Sequence, residues 1–144
     1  MEPFPKPLKL EFVDNPKEYR RRFKLTQKFE YHFNTKDSHE CITVPIDYPT
    51  DFASVPRPLW PIFPPVGRYG KATVIHDYLC DHPEERPRQE ADRIFRQAMK
   101  DLDVARWKIF FMYGAVSFWT TVLTVKQWLL QKLNIHQKPK RRAL

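Results

Sequence analysis

The residues with the means to do chemistry gather in Ala72-Thr-Val-Ile-His-Asp-Tyr-Leu-Cys80. Ala72, Ile75 and Leu79 recur at three- and four-residue spacing, which predicts a helix with one apolar face. His76 and Cys80 are four apart and share a second face, and Asp77 and Asp81, also four apart, lie beside it. A histidine and an aspartate carried into a buried helix need partners to offset their desolvation. A neutral imidazole whose other nitrogen is held by a carboxylate is the standard general base, and Asp92 or Asp51 would hold His76 in that way. The same residues also fit an architectural role, in which His76 and Asp77 bond loop backbone and Arg57 or Arg88 and lock the preceding loop onto the helices. The architectural role is the one expected here, because clusters of perturbed polar groups are often structural.

Two further chemistries use neighbouring residues. Ser54 with His76 and an aspartate would make a nucleophile triad, but Ser54 lacks the flanking glycines of a nucleophile elbow. A turn or helix cap is the plainer role for it. His39 and Cys41 on a strand, and His76 and Cys80 on the helix, are donors whose types and spacing suit tetrahedral zinc. The pattern lacks the close cysteine pairs that make zinc persuasive. No cofactor is therefore expected, with zinc as an alternative.

The elements that must position these groups follow from the pattern of the 144 residues. One α+β domain over residues 1–136 is expected, followed by a basic tail over 137–144. Residues 1–22 read as an extended arm, in which Leu8, Leu10 and Phe12 alternate with charged residues as in a short strand. Residues 23–46 read as an antiparallel hairpin: Phe23, Leu25, Phe29, Tyr31 and Phe33 alternate before a polar break at 34–38, and Cys41–Ile46 returns. Residues 47–70 form a proline-rich loop, where Pro49 and Pro56 exclude a long helix or a central strand and Gly67-Arg-Tyr-Gly70 turns into the first helix. A loop of this length in a small domain is usually functional.

Three helices are expected over 71–136. The second begins near Pro87, buries Ala91, Ile94, Phe95, Ala98, Met99 and Leu102, and carries Arg88, Asp92 and Arg96 on its polar face. The third runs from near Val104 to about Leu133 and is uncharged from Ile109 to Val125, between Lys108 and Lys126. That length is at the lower limit for crossing a bilayer, and Gly114, Ser117, Thr120, Thr121 and Thr124 moderate its apolarity. A buried core helix is expected, with membrane contact through residues 109–125 as the alternative.

A net charge of +8 favours an acidic partner, and the charge clusters in Arg20-Arg-Arg22 and Lys138-Pro-Lys-Arg-Arg142. No nucleic-acid motif is present, so an acidic protein surface is the expected contact, with non-specific nucleic acid as a second. Fourteen prolines against three glycines imply rigid turns. The start, Met1-Glu-Pro-Phe-Pro5, is polar and proline-broken, so no signal peptide is expected. Synthesis into a reducing cytoplasm, with Cys41 and Cys80 as free thiols, follows as the expectation.

Taken together, Thr50-Asp-Phe-Ala-Ser-Val-Pro-Arg57, Trp60, Pro64-Pro65, Gly67-Arg68, Ala72, His76-Asp77-Tyr78-Leu79, Arg88, Ala91-Asp92 and Phe95 resemble a family of small bacteriophage and prophage proteins with a domain of unknown function. Its hallmarks are a TDxASVPR loop, an HDYLY helix and an R-x-x-A-D-x-x-F helix, and Cys80 stands here where the family usually has tyrosine. The resemblance covers about residues 25–120. It implies a phage origin, with synthesis in the host cytoplasm, and carries no assigned activity. The aromatic residues, the proline-rich arm and the basic tail suit a small accessory part of a phage particle, structural or virion- and tail-associated, that binds other phage proteins, with Asp51, Ser54, Arg57 and Arg88 as expected binding residues. The His-Asp helix is also similar to that of phospholipases A2. That similarity implies His76 as the base, Asp92 as its orienting partner and Asp77 as a calcium ligand, in a hydrolase of lipid or another cell-envelope component. Only Pro64-Pro-Val-Gly-Arg-Tyr-Gly70 stands where those enzymes have a glycine-rich calcium loop.

Overall fold

Alternation in the first third of the chain produces strands that are shorter, and differently partnered, than the pattern alone implies. The structure, a computed structural model, describes residues 2–13, 23–34, 39–50, 61 and 67–135, with side chains through Lys132. The strands are β1 (Leu10–Phe12), β2 (Phe23–Leu25), β3 (Phe29–Asn34), β4 (His39–Val44) and β5 (Pro49–Thr50). The helices are α1 (Gly70–Asp81), α2 (Arg88–Asp101) and α3 (Arg106–Ile135). The fold is α+β.

The hairpin expected over 23–46 splits in two. β3 and β4 pair antiparallel from Phe29 opposite Val44 to Asn34 opposite His39. β2 leaves them and sits between β1 and β5 in a separate antiparallel sheet. The break lies just after Leu25, where the Thr26 amide donates to the Lys9 carbonyl at 3.1 Å. Asp47, at φ 64°, turns the chain from β4 towards β5, a backbone region that aspartate enters more readily than most residues. The first residues are not a free arm. Phe4 is buried and stacks on Tyr31 with ring centroids 4.6 Å apart, and the His32 amide donates to the Pro3 carbonyl at 2.8 Å.

The helices begin and end for local reasons. The Gly70 amide donates to the Gly67 carbonyl at 2.9 Å, which closes the expected turn into α1. α2 ends where Asp103 adopts a left-handed conformation at φ 52°. The Val104 amide then reaches back to the Met99 carbonyl, and the Asp103 amide to that of Lys100. This is the paired capping pattern that stops a helix and redirects the chain, with buried Val104 and Met99 completing it. Leu25, Phe29, Tyr31 and Val44 from the strands meet Ala72, Ile75 and Leu79 of α1 and Phe95 and Met99 of α2 in one apolar cluster.

α3 is not the buried core helix expected from its composition. Ile109 is buried, and Met112, Tyr113 and Val116 pack against the core. Phe110, Phe111, Phe118, Trp119, Val125 and Leu129 are exposed. The reason is length and supply. Thirty residues extend about 45 Å at 1.5 Å each, whereas α2 has 14 residues and covers one side of the first half.

Candidate functional site

Helical spacing puts Ala72, Ile75 and Leu79 of α1 fully inside, which turns His76 and Cys80 to the edge of the core beside α2. The His76 Nε2 lies 2.8 Å from Asp92 Oδ1, and the two side chains are 13% and 3% exposed. The Cys80 thiol lies 3.6 Å from the same nitrogen, and the Phe95 ring sits 4.8 Å from the imidazole centroid. Asp92 therefore does not lie on a polar face with Arg88 and Arg96. It is buried, while Arg96 is exposed and lies 5.2 Å from the Tyr113 ring of α3. Arg88, half-buried in the first turn of α2, makes no ion pair among the described residues.

Burial is the largest single influence and works against a charged imidazole, but the hydrogen bond to Asp92, the Cys80 sulfur and Asp77 together outweigh it and raise His76 to about 9. The net effect favours the charged imidazole. Its Nδ1 makes no hydrogen bond among the described residues, and no buried side-chain nitrogen or oxygen there lacks a partner. One nitrogen held by a carboxylate and the other without a bond among the described residues is the geometry of a base and its orienting group.

The other carboxylates of α1 are engaged by β5 and the residue before it, within the stretch expected to be a proline-rich loop. Thr50 Oγ1 donates to Asp77 at 3.0 Å, and Tyr48 Oη donates to Asp81 at 2.8 Å. Positions four apart on a helix lie about 6 Å apart along its axis, and positions two apart on a strand about 6.6 Å. The two ladders therefore match rung for rung. Tyr78 Oη donates to Glu85 at 2.7 Å, and Tyr31 Oη to Asp101 at 2.6 Å. Burial and the Glu85 carboxylate push the Tyr78 hydroxyl up to about 12. Sequence reasoning missed Tyr48 and Thr50. The signal was their two-residue spacing opposite the four-residue spacing of Asp77 and Asp81.

Thr50, the first residue of the TDxASVPR stretch, bonds Asp77 of α1. Asp51, Ser54 and Arg57 lie outside the described residues, as do Trp60 and the 137–144 tail. Calcium takes six to eight oxygen ligands. Around Asp77 the described residues bring the Thr50 hydroxyl and no group of three or more candidate ligands. No group of three or more His, Cys, Asp or Glu among the described residues is placed to hold a metal ion. His39 and Cys41 pack around His32, whose Nδ1 faces His39 at 3.3 Å and whose Nε2 faces the Cys41 sulfur at 3.8 Å. Opposite nitrogens of one ring cannot ligate the same ion, so these three do not converge on zinc.

Comparison with known proteins gives a family without an activity. A family model described as "Protein of unknown function (DUF1353)" matches residues 23–116. A protein named "Uncharacterized protein y4jT", from Sinorhizobium fredii (strain NBRC 101917 / NGR234), is 34% identical over 98 residues, which make up 67% of this chain and 29% of that protein. The chain thus spans less than a third of the length of this curated relative. No solved structure matches.

Proposed function

The chain belongs to this DUF1353 family, and from that premise we propose that it is an accessory protein acting by binding rather than by turnover. The observation that carries this reading is the state of the His76–Asp92 pair. The His76 imidazole meets buried Asp92 at 2.8 Å, which joins α1 to α2 and helps raise the imidazole to about 9. Asp77 and Asp81 do the same between α1 and β5 and its lead-in through Thr50 and Tyr48. The motif resemblance in residues 50–95 supports a phage-encoded protein, a structural or virion- or tail-associated component that meets an acidic surface on other phage proteins, with non-specific nucleic acid as a lesser contact.

A direct test pairs substrate assays with His76→Gln. The parent chain should release nothing from phospholipid or cell-envelope substrates, with or without calcium. The variant should lose about 1–3 kcal/mol of stability, the cost of leaving a buried partner unpaired. Turnover by the parent that vanishes in the variant at unchanged melting temperature would overturn the reading.

One observation favours a second reading, a hydrolase with His76 as base and Asp92 orienting it: Nε2 is held by Asp92 while Nδ1 makes no hydrogen bond among the described residues. Such an enzyme would be slow at neutral pH and would speed up as pH rises through about 9, where the imidazole becomes free to accept a proton. A rate that is flat or falling across that range removes it.

A further inference from the structure

α3 carries two apolar stripes on opposite sides. The first, Ile109, Met112, Tyr113 and Val116, faces α2 and the core. The second runs through Phe111, Phe118, Val122, Val125 and Leu129, at spacings of seven, four, three and four, which keep to one side of a helix. All five are exposed. From Arg106 to Lys132 the helix is long and apolar enough to cross a membrane, and 11% of its apolar window is buried.

The charge distribution says what covers the open stripe. Residues 1–103 hold 17 basic and 17 acidic residues and are neutral as a block. Residues 104–144 hold the other 8 basic residues and no acidic one. The whole net charge of the chain therefore belongs to the segment that carries the stripe. A second copy of this segment would bring eight more positive charges alongside, whichever way it ran, so charge opposes pairing with itself. The partner must be anionic and also apolar over the length of the stripe, about 27 Å at 1.5 Å per residue. An anionic lipid bilayer combines both properties at one surface.

Details of the helix agree with a lipid neighbour. Thr121 Oγ1 donates to the Ser117 carbonyl at 2.8 Å and Thr124 Oγ1 to the Thr120 carbonyl at 2.9 Å, so these hydroxyls need no water. Trp107, Trp119 and Trp128 are exposed, and such amphipathic rings settle at the headgroup level. Lys108 lies 5.4 Å from the Trp107 ring and Lys132 lies 4.0 Å from the Trp128 ring, which joins charge to ring at each end of the apolar run. Because the core occupies the opposite side of the first half of α3, the helix suits lying along a bilayer better than passing through it.

We propose that α3 is an interfacial membrane anchor, its Phe111–Leu129 stripe entering the acyl boundary of an anionic bilayer while the basic residues of the segment meet the headgroups. This rests on the reading that the chain acts by binding, and it supplies the partner. Flotation of the full chain with vesicles of phosphatidylcholine, with and without phosphatidylglycerol, tests it. Binding to the anionic vesicles should exceed binding to phosphatidylcholine alone by more than about tenfold, since each basic side chain near an anionic surface adds several-fold. Tryptophan emission should shift to the blue and be quenched by lipids brominated near the headgroup. The double variant Phe118→Glu, Val125→Glu, altered at exposed sites, should keep the parent's circular dichroism and lose binding. Equal binding by that variant, or equal binding to both vesicle types, overturns the proposal. So does a parent chain that forms a dimer in solution and ignores vesicles. Quenching confined to lipids brominated deep in the acyl chain would replace the in-plane placement with a spanning one. Phospholipid integrity in the same samples separates the two readings: lipid loss ends the binding-only function, whereas failure to float with lipid intact ends only the membrane assignment.

Discussion

On α1 and α2, His76, Asp77, Asp81 and Asp92 each meet a partner from another element. On α3, Phe111, Phe118, Val125 and Leu129 lie open, with no acidic residue anywhere between Val104 and Leu144. The first region has settled its charges internally. The second has left both its apolar surface and its charge unsettled. A buried ion pair is a fixed commitment of the fold, because either partner alone would be stranded in a low-dielectric interior. An open apolar and basic face is a commitment to something outside the chain. The difference separates the part of the molecule that holds its shape from the part that meets a partner.

The sharpest way to break this contrast is to treat both regions alike. Asp92→Ala removes one partner of a buried pair, and urea denaturation should show a loss of about 3–5 kcal/mol. Phe118→Glu introduces a charge into α3 and should change stability by about 0.5 kcal/mol or less, as surface substitutions do. Comparable losses from the two would mean that α3 is held by something within the chain.

The pH dependence sharpens the same point with a smaller effect. His76 is raised from its ordinary 6.5 to about 9, so its contribution is fully present below pH 6.5 and is lost as pH climbs through about 9. The full difference is on the order of 3 kcal/mol. Thermal or urea unfolding of the parent should weaken across that window, whereas His76→Gln should be flat over it. Parallel curves for the two proteins would remove the ion pair from the account of stability.

How far these features could be read in advance depends on what each needed. α1 was legible because Ala72, Ile75 and Leu79 fix the face that points inward, and His76 and Cys80 follow from the same period. The pairing of His76 with Asp92 was one of two choices, and Asp51, the other, lies outside the described residues. The split after Leu25 carries no glycine or proline to mark it; a backbone bond from Thr26 to Lys9 makes it, and that partner is distant in sequence. β5 was hidden by Pro49, which is admissible because β5 is an edge strand with no ladder bond to lose on its outer side. For α3, apolar periodicity states that a face needs covering but not whether the chain itself covers it.

Thr50→Val probes the seam between β5 and α1, where no charge is left bare. Removing the hydroxyl that Asp77 accepts at 3.0 Å should cost about 1 kcal/mol, the net worth of one such bond. Local opening should follow, with faster amide exchange on β5 and the first turns of α1 and little change on α3. A loss spread evenly over all three helices would contradict the assignment of this bond to one seam.

The smallest effect on the fold is expected from the end of the chain. Lys138, Lys140, Arg141 and Arg142 place four positive charges within five residues, and Pro139 among them cannot continue a helix. Such a run contributes little to a core and much to long-range attraction. Removing residues 137–144 should therefore leave the unfolding midpoint within error of the parent. It should also slow association with an anionic partner and flatten its salt dependence, since screened contacts of this kind act within a Debye length of about 8–10 Å. The comparison between regions then has a clean arithmetic check: half of the eight basic residues beyond residue 103 are lost, and every described element is kept. A truncated chain that binds as tightly, with the same salt dependence, would assign the attraction to Arg106, Lys108, Lys126 and Lys132 on α3 alone. A truncated chain that unfolds earlier would show that the tail belongs to the region that holds the shape.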